Sequence, residues 1–190
     1  MSKIFQNFLT KIINGNDLNA EEMAEAMNSI MTGKLSSSEI AGFMIGLRIK
    51  GETIEEIASA AQVMRDHSHS VKLNERDFLI DTCGTGGDSL QTFNVSTVSA
   101  VISSAAGARV AKHGGRSVSS KCGSADVLES LGVNVNLTHD QMSMLVDKIN
   151  IGFMFAPNYH PAMKYVAPVR KELGVRTFFN LLGPLTNPAD

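Results

Sequence analysis

Phe78-Leu79-Ile80-Asp81-Thr82-Cys83-Gly84-Thr85-Gly86-Gly87-Asp88 is the stretch that decides the fold of this chain. A short apolar run with strand character stops at Asp81, and a glycine-rich loop follows, closed by Asp88. Glycine reaches positive φ and lets a ligand approach the backbone with no side chain in the way. Successive backbone N–H groups in such a turn point into one concavity and hold anionic oxygens. A carboxylate at the rim repels a bare phosphate but suits a phosphate that arrives with Mg²⁺. The loop therefore points to a polyphosphate-bearing, metal-associated ligand. It is not a Walker A loop, because no Lys-Ser/Thr pair follows the glycines, and Ser89 stands at the third glycine position of a dinucleotide fingerprint. The competing reading is a glycine-rich strand-to-helix turn with no ligand.

Upstream of this stretch the pattern is helical throughout. Phe5, Phe8, Leu9, Ile12 and Ile13 recur at helical spacing. Asn19 with Glu22, Ser36 with Glu39 and Thr53 with Glu56 each have the spacing of a capping box. An apolar-periodic run follows each pair, and Gly33 and Gly51 stop the first two runs. Four short helices in a domain over 1–70 are expected, with packing or an oligomer surface as their role. His67 and His69 read as solvated linker residues, since nothing nearby completes a metal set.

Downstream, short apolar strands alternate with helices. Strands are expected over 78–80, 108–111 and 151–155, with an extended segment over 133–137. Helices are expected over 95–106, over 124–131 capped by Ser124, and from a Thr138/Gln141 cap onward. Such alternation implies βα units and a mainly parallel sheet, an α/β domain over 71–159. From His160 the pattern turns helical again through Leu173, then over 176–182. This tail, 160–190, is expected to form hinge helices that pack back on the helical domain.

The totals narrow the function classes. The chain has 190 residues, 43% of them hydrophobic, and a formal charge of −2. That is enough chain to bury a core, and the balance argues against a bulk nucleic-acid binder. No apolar run approaches the ~20 residues of a membrane span, and the N-terminus lacks a secretory pattern. The two cysteines, Cys83 and Cys122, make no disulfide framework, which points to a reducing cytoplasm. The ten Met read as core filling.

Two further loops carry chemistry. Asn94-Val95-Ser96-Thr97 opens a small-residue helix, with Asn94 as a good N-cap residue. A helix N-terminus with hydroxyls attracts an anion, although taken alone this motif is better read as a simple cap. The stretch from Lys112 to Asp126 sets Lys112 and Arg116 among glycines and serines, between a strand and a helix. Lys offers a phosphate a point charge, and Arg offers a fork. In parallel sheets ligands sit beyond the C-terminal strand ends, where both this loop and the first one fall.

Taken together, these motifs resemble the anthranilate phosphoribosyltransferase family. The residues that carry the resemblance are Asp81 to Asp88, Asn94 to Thr97, Lys112-His113-Gly114 and Ser124-Ala125-Asp126. The tail adds His160-Pro161-Ala162-Met163-Lys164, Pro168-Val169-Arg170, Arg176-Thr177-Phe178-Phe179-Asn180 and Gly183-Pro184-Leu185-Thr186-Asn187-Pro188. The resemblance implies transfer of the phosphoribosyl group of phosphoribosyl pyrophosphate (PRPP) to the amino nitrogen of anthranilate, with loss of pyrophosphate. Such chemistry needs charge neutralisation and positioning, and no nucleophile or acid–base residue of the protein is assigned. By resemblance Gly84, Gly87, Asp88, Thr92, Asn94, Val95, Ser96 and Thr97 face PRPP. So do Lys112, His113, Gly114, Gly115, Arg116, Ser117, Val118, Ser119, Ser120 and Ser124. Ser96 would ligate Mg²⁺, and Gly84, Gly115 and Arg170 would face anthranilate. Homodimerisation through the helical domain is the family's habit. No nucleic-acid or membrane partner is expected.

Two departures stand out. Gly115 occupies a position where the family usually has Asn, which removes an amide from the aromatic substrate or ribose. The family's Asp-Glu pair for a second Mg²⁺ lies beyond Asp190, so an N-terminal fragment with an incomplete sheet is expected. The alternatives are a nucleoside phosphorylase of the same fold and a non-catalytic phosphate- or nucleic-acid-binding relative.

Overall fold

Each of the three capping-box pairs starts a helix in the computed structural model, which describes residues 3–86, 93–116 and 122–189. Helix α1 is Lys3–Ile13, α2 Ala20–Met31, α3 Ser37–Lys50 and α4 Ile54–Asp66. At α2 the Asn19 side chain accepts from Glu22 N, and the Glu22 carboxylate accepts from Asn19 N. Each box satisfies two of the donors that a helix start leaves orphaned. Past α3, Gly51 takes φ 88°, a conformation that a side chain would strain.

The chain divides into two compact units. Residues 1–68 and 161–186 form the helical unit. Its core joins Phe5, Met27, Phe43 and Leu47 to Val166, Val169, Phe178 and Leu182 of the tail. The tail supplies a 3₁₀ segment Pro161–Tyr165 and two helices of this unit, α9 (Ala167–Leu173) and α10 (Phe179–Leu185). Helix α10 starts later than the expected 176–182, because the Asn180 side chain accepts from Thr177 N and holds that turn open. Glu56 is fully buried, accepting from Thr53 N, Leu18 N and Lys50 Nζ at 2.8–3.0 Å.

Residues 69–160 and 187–190 form the α/β unit. It holds β1 (Leu79–Ile80), α5 (Val95–Ala105), β2 (Arg109–Gly114), α6 (Ser124–Ser130), α7 (His139–Ile149), β3 (Ile151–Phe155) and α8 (Ala156–Tyr159). The strands pair in parallel in the order β1-β2-β3. The expected strand over 108–111 reaches Gly114, because β3 offers ladder partners as far as Gly114↔Phe155. Alternation then sends Ala111 and Met154 into one apolar cluster with Met142 and Val146. Phe153 joins another with Ala125 and Val135. Gly152 lets α7 approach, since a Cβ there would lie 2.5 Å from Met142 Sδ.

Three local expectations need comment. The segment 133–137, expected to be extended, is neither helix nor, among the described residues, paired strand and reaches the core through Val135; the two cap expectations are the ones that change. The cap of α6 is Gly123, whose N–H donates to Asp126 Oδ2 at 2.7 Å, not Ser124. Asn94 occupies the N-cap position of α5, but its amide donates to the Cys122 carbonyl at 3.3 Å and makes no side-chain cap bond.

Candidate phosphate-binding site

Asp81, the residue after β1, is the latch of the site. Its Oδ1 accepts from Cys83 N at 2.9 Å and from His113 N at 3.1 Å. Its Oδ2 accepts from the Asn187 amide at 2.7 Å. One carboxylate thus ties the start of the glycine loop to the end of β2 and to residue 187. Burial pushes its pKa up, against the pull of Asn187, the His113 amide and Lys112.

The end of β2 contributes Lys112, which is buried and donates from Nζ to Ser96 Oγ at 3.2 Å. Burial pulls the Lys112 pKa down, while Asp81 opposes it. Thr82 Oγ1 donates to the Ser96 carbonyl at 2.7 Å, which anchors the first turn of α5 beside the loop. Thr97 Oγ1 donates to Ser124 Oγ at 3.0 Å, joining the starts of α5 and α6. One ammonium and four hydroxyls are therefore gathered at the C-terminal side of the parallel strands, where the loop carrying Gly84 and Gly86 leaves β1. Gly86 holds φ 68°, and a Cβ added at Gly84, Gly86 or Gly115 would touch nothing within 4 Å. The backbone there is open to a ligand.

The other expected site residues fall as follows. His113 is buried, its ring 5.0 Å from that of His160. The Gly115 carbonyl accepts from Ala125 N at 3.2 Å. Gly114 packs closely, since a Cβ there would lie 3.0 Å from the Phe153 ring. Val95 is half exposed on α5. Arg116, expected to offer its fork to phosphate, gives it to Glu129 through both terminal nitrogens and to Asp126 at 3.3 Å. Arg170 belongs to the helical unit, where its guanidinium lies over the Phe179 ring at 5.9 Å. Gly87, Asp88, Thr92, Ser117, Val118, Ser119 and Ser120 lie outside the described residues.

Asp81, Cys83 and His113 bring potential ligand atoms within 4.8 Å of one another. They make a hydrogen-bonded latch and a poor metal trio. The Asp81 oxygens already accept from three donors, and burial pushes the Cys83 thiol up to about 11. Sequence reasoning missed Asn187 and Asp81 as positioning residues. Their signal was only an Asp directly after a strand and an Asn in a terminal turn.

With this geometry in place, the chain belongs to a glycosyl transferase family: residues 76–190 match its a/b domain and residues 6–68 its helical bundle domain. It is 60% identical over 184 residues to the anthranilate phosphoribosyltransferase of Chromobacterium violaceum, covering 97% of this chain and 54% of that protein. The anthranilate phosphoribosyltransferase structure from Thermus thermophilus superposes with a TM-score of 0.88 at 46% identity, over 95% of this chain and 55% of that one. The Saccharomyces cerevisiae enzyme in complex with PRPP and Mg gives 0.89 at 29% identity, over 100% and 56%. The chain therefore spans about half the length of the relatives it matches. No helix among the described residues is long and apolar enough to cross a membrane.

Proposed function

We propose that this chain carries the PRPP-binding part of an anthranilate phosphoribosyltransferase, an enzyme of tryptophan biosynthesis in the cytoplasm. The observation that carries this reading is the meeting of Lys112, in the C-terminal half of β2, with Ser96 at 3.2 Å, next to the loop that leaves β1 with Gly84 and Gly86. The names of the relatives supply the acceptor, anthranilate. Lys112 would neutralise a pyrophosphate oxygen, and the glycine-loop amides would hold others. Ser96 fits a hard cation, because its hydroxyl oxygen keeps a lone pair after accepting from Lys112. Mg²⁺ held there would offset the charge of the departing pyrophosphate. Ser124 and Thr97 would orient the ribose phosphate, and Arg170 would face the anthranilate carboxylate. A homodimer through the helical unit follows the family resemblance, and Ile49, 81% exposed, is an apolar side chain there at which it can be probed.

The test joins this chain to the remaining segment of the C. violaceum relative and follows anthranilate with PRPP and Mg²⁺. Phosphoribosyl anthranilate is the expected product. A folded chain that binds PRPP and consumes no anthranilate would remove the acceptor assignment, and one that binds no PRPP would remove the site assignment.

A further inference from the structure

Behind the phosphate site the α/β unit holds a cavity of about 270 Å³, lined by α5, β2, α6, the 133–137 segment, α7 and β3. Its inner lining is core: Ala100, Lys112, Met142 and Phe153 are 1%, 3%, 2% and 8% exposed. Its rim stands in water, where Val101, Val133 and Ile149 are 55%, 44% and 56% exposed. Burial that rises from rim to floor, with walls from several elements, describes a pit and not a flat face.

The lining asks little polarity of an occupant. Among the described residues that form it, Lys112 is the one charged side chain, and its ammonium donates to Ser96 Oγ at 3.2 Å. The Thr97 hydroxyl donates to Ser124 Oγ at 3.0 Å. Asn134 stands at the rim, where its Oδ1 accepts from Asn136 N at 2.9 Å and keeps a lone pair for a second donor. Size narrows the choice further. An apolar cavity of about 150 Å³ stays dry and takes one benzene ring, so this larger one has room for two fused rings. Close-packed interiors hold few voids larger than a water molecule, and the walls of an empty one lack contact partners.

We infer that this cavity is the seat of a small effector, a neutral molecule of two fused aromatic rings with one hydroxyl or N–H at the Asn134 rim. Its rings supply the contacts that the empty walls lack. Once filled, the cavity holds α5, which carries Ser96, in one arrangement against Lys112. An ordered Lys112–Ser96 pair receives pyrophosphate oxygens at a lower entropic cost, so effector and PRPP strengthen each other's binding. The coupling rests on the function proposed above; the occupancy of the cavity does not.

The probe is 2-naphthol, whose fluorescence stands clear of the protein's because the chain has no Trp. It is titrated into the 190-residue chain and into the continued chain described above. The expected result is a saturable rise in emission with one site per chain in both. Ala100→Met, which fills the cavity from α5, should abolish it; should that variant fail to fold, Leu128→Phe fills the same space from α6. With 2-naphthol saturating, calorimetry on the continued chain should show PRPP with Mg²⁺ bound at least threefold more tightly. The inference is wrong if neither chain shows a saturable site, or if the site survives both fillings. It is equally wrong if only the 190-residue chain takes the probe, since a side chain of the added segment then occupies the cavity. A PRPP affinity that bound 2-naphthol does not move overturns the coupling. Absence of PRPP binding with and without the probe instead removes the function proposed above, and the probe titration still decides the occupancy.

Discussion

Lys112 is a lysine that folding has taken out of water, and its proton makes that measurable. Burial lowers its pKa in the folded chain, while the unfolded chain keeps the proton to the ordinary 10.5. Between those two values the unfolded state binds more protons at this residue, so Lys112 contributes a rise of stability with pH through that window, against the opposite contributions of the buried Cys83 and Tyr159. Lys112→Met should flatten this alkaline rise, read as the difference in urea unfolding free energy between its two ends. Equal slopes in both proteins would show that the ammonium is solvated. At Gly115 the backbone imposes no positive φ, and a Cβ would meet nothing within 4 Å. Gly115→Asn should therefore change stability by no more than ~0.5 kcal/mol and lower the anthranilate KM of the continued chain. A large drop in melting temperature would mean that the site closes on this position. At this scale the sequence was read unevenly. Lys112 and Ser96 lie in recognisable motifs. The pairing of Arg116 with Glu129 follows from how α6 lies on the sheet, which no local pattern encodes.

Helix starts were the most legible elements. A capping box is written within four residues, and the pairs at Asn19, Ser36, Thr53 and Thr138 all form. The box at α4 does more than cap. Glu56 also holds Leu18 N and the ammonium of Lys50, whose side chain is 3% exposed. Thr53→Ala removes the cap alone and should cost ~1 kcal/mol. Glu56→Ala takes the acceptor from the Leu18 and Thr53 amides and leaves Lys50 with Asp17 at 2.6 Å and the Gly51 carbonyl, and should cost ~2–3 kcal/mol. Urea unfolding of the two variants separates these roles, and equal costs would mean that the Lys50–Glu56 pair contributes nothing. Strand limits were less legible, because the partner strand sets them. β2 runs to Gly114 on account of β3, and β1 keeps only two residues.

On the scale of the whole molecule, the path of the chain is what no local pattern reveals. The α/β unit is closed by residues from the far end: Asn187 donates to Asp81 and to the Ala111 carbonyl, and Val71 N donates to the Pro188 carbonyl. Asn187→Ala would leave the Asp81 carboxylate short of a donor and should cost ~2 kcal/mol. Hydrogen exchange should show that cost at β1 and β2 and not in α1 to α4; uniform loosening would contradict the division into units. For assembly, Ile49→Asp should halve the mass of a dimer formed through the helical unit. A mass that stays dimeric would place the interface elsewhere.

The Asp81–Asn187 bond also sets a timetable. A ribosome releases the residues of α1 to α4 first, and their near-neighbour contacts let them collapse early. Asp81 emerges more than a hundred residues before the amide that it accepts from. Through that interval the nascent glycine loop is tethered at one end only. The pocket for phosphate therefore stays without this latch until residue 187 has emerged, and a translational pause before residue 187 would expose it to chaperones in its unlatched form.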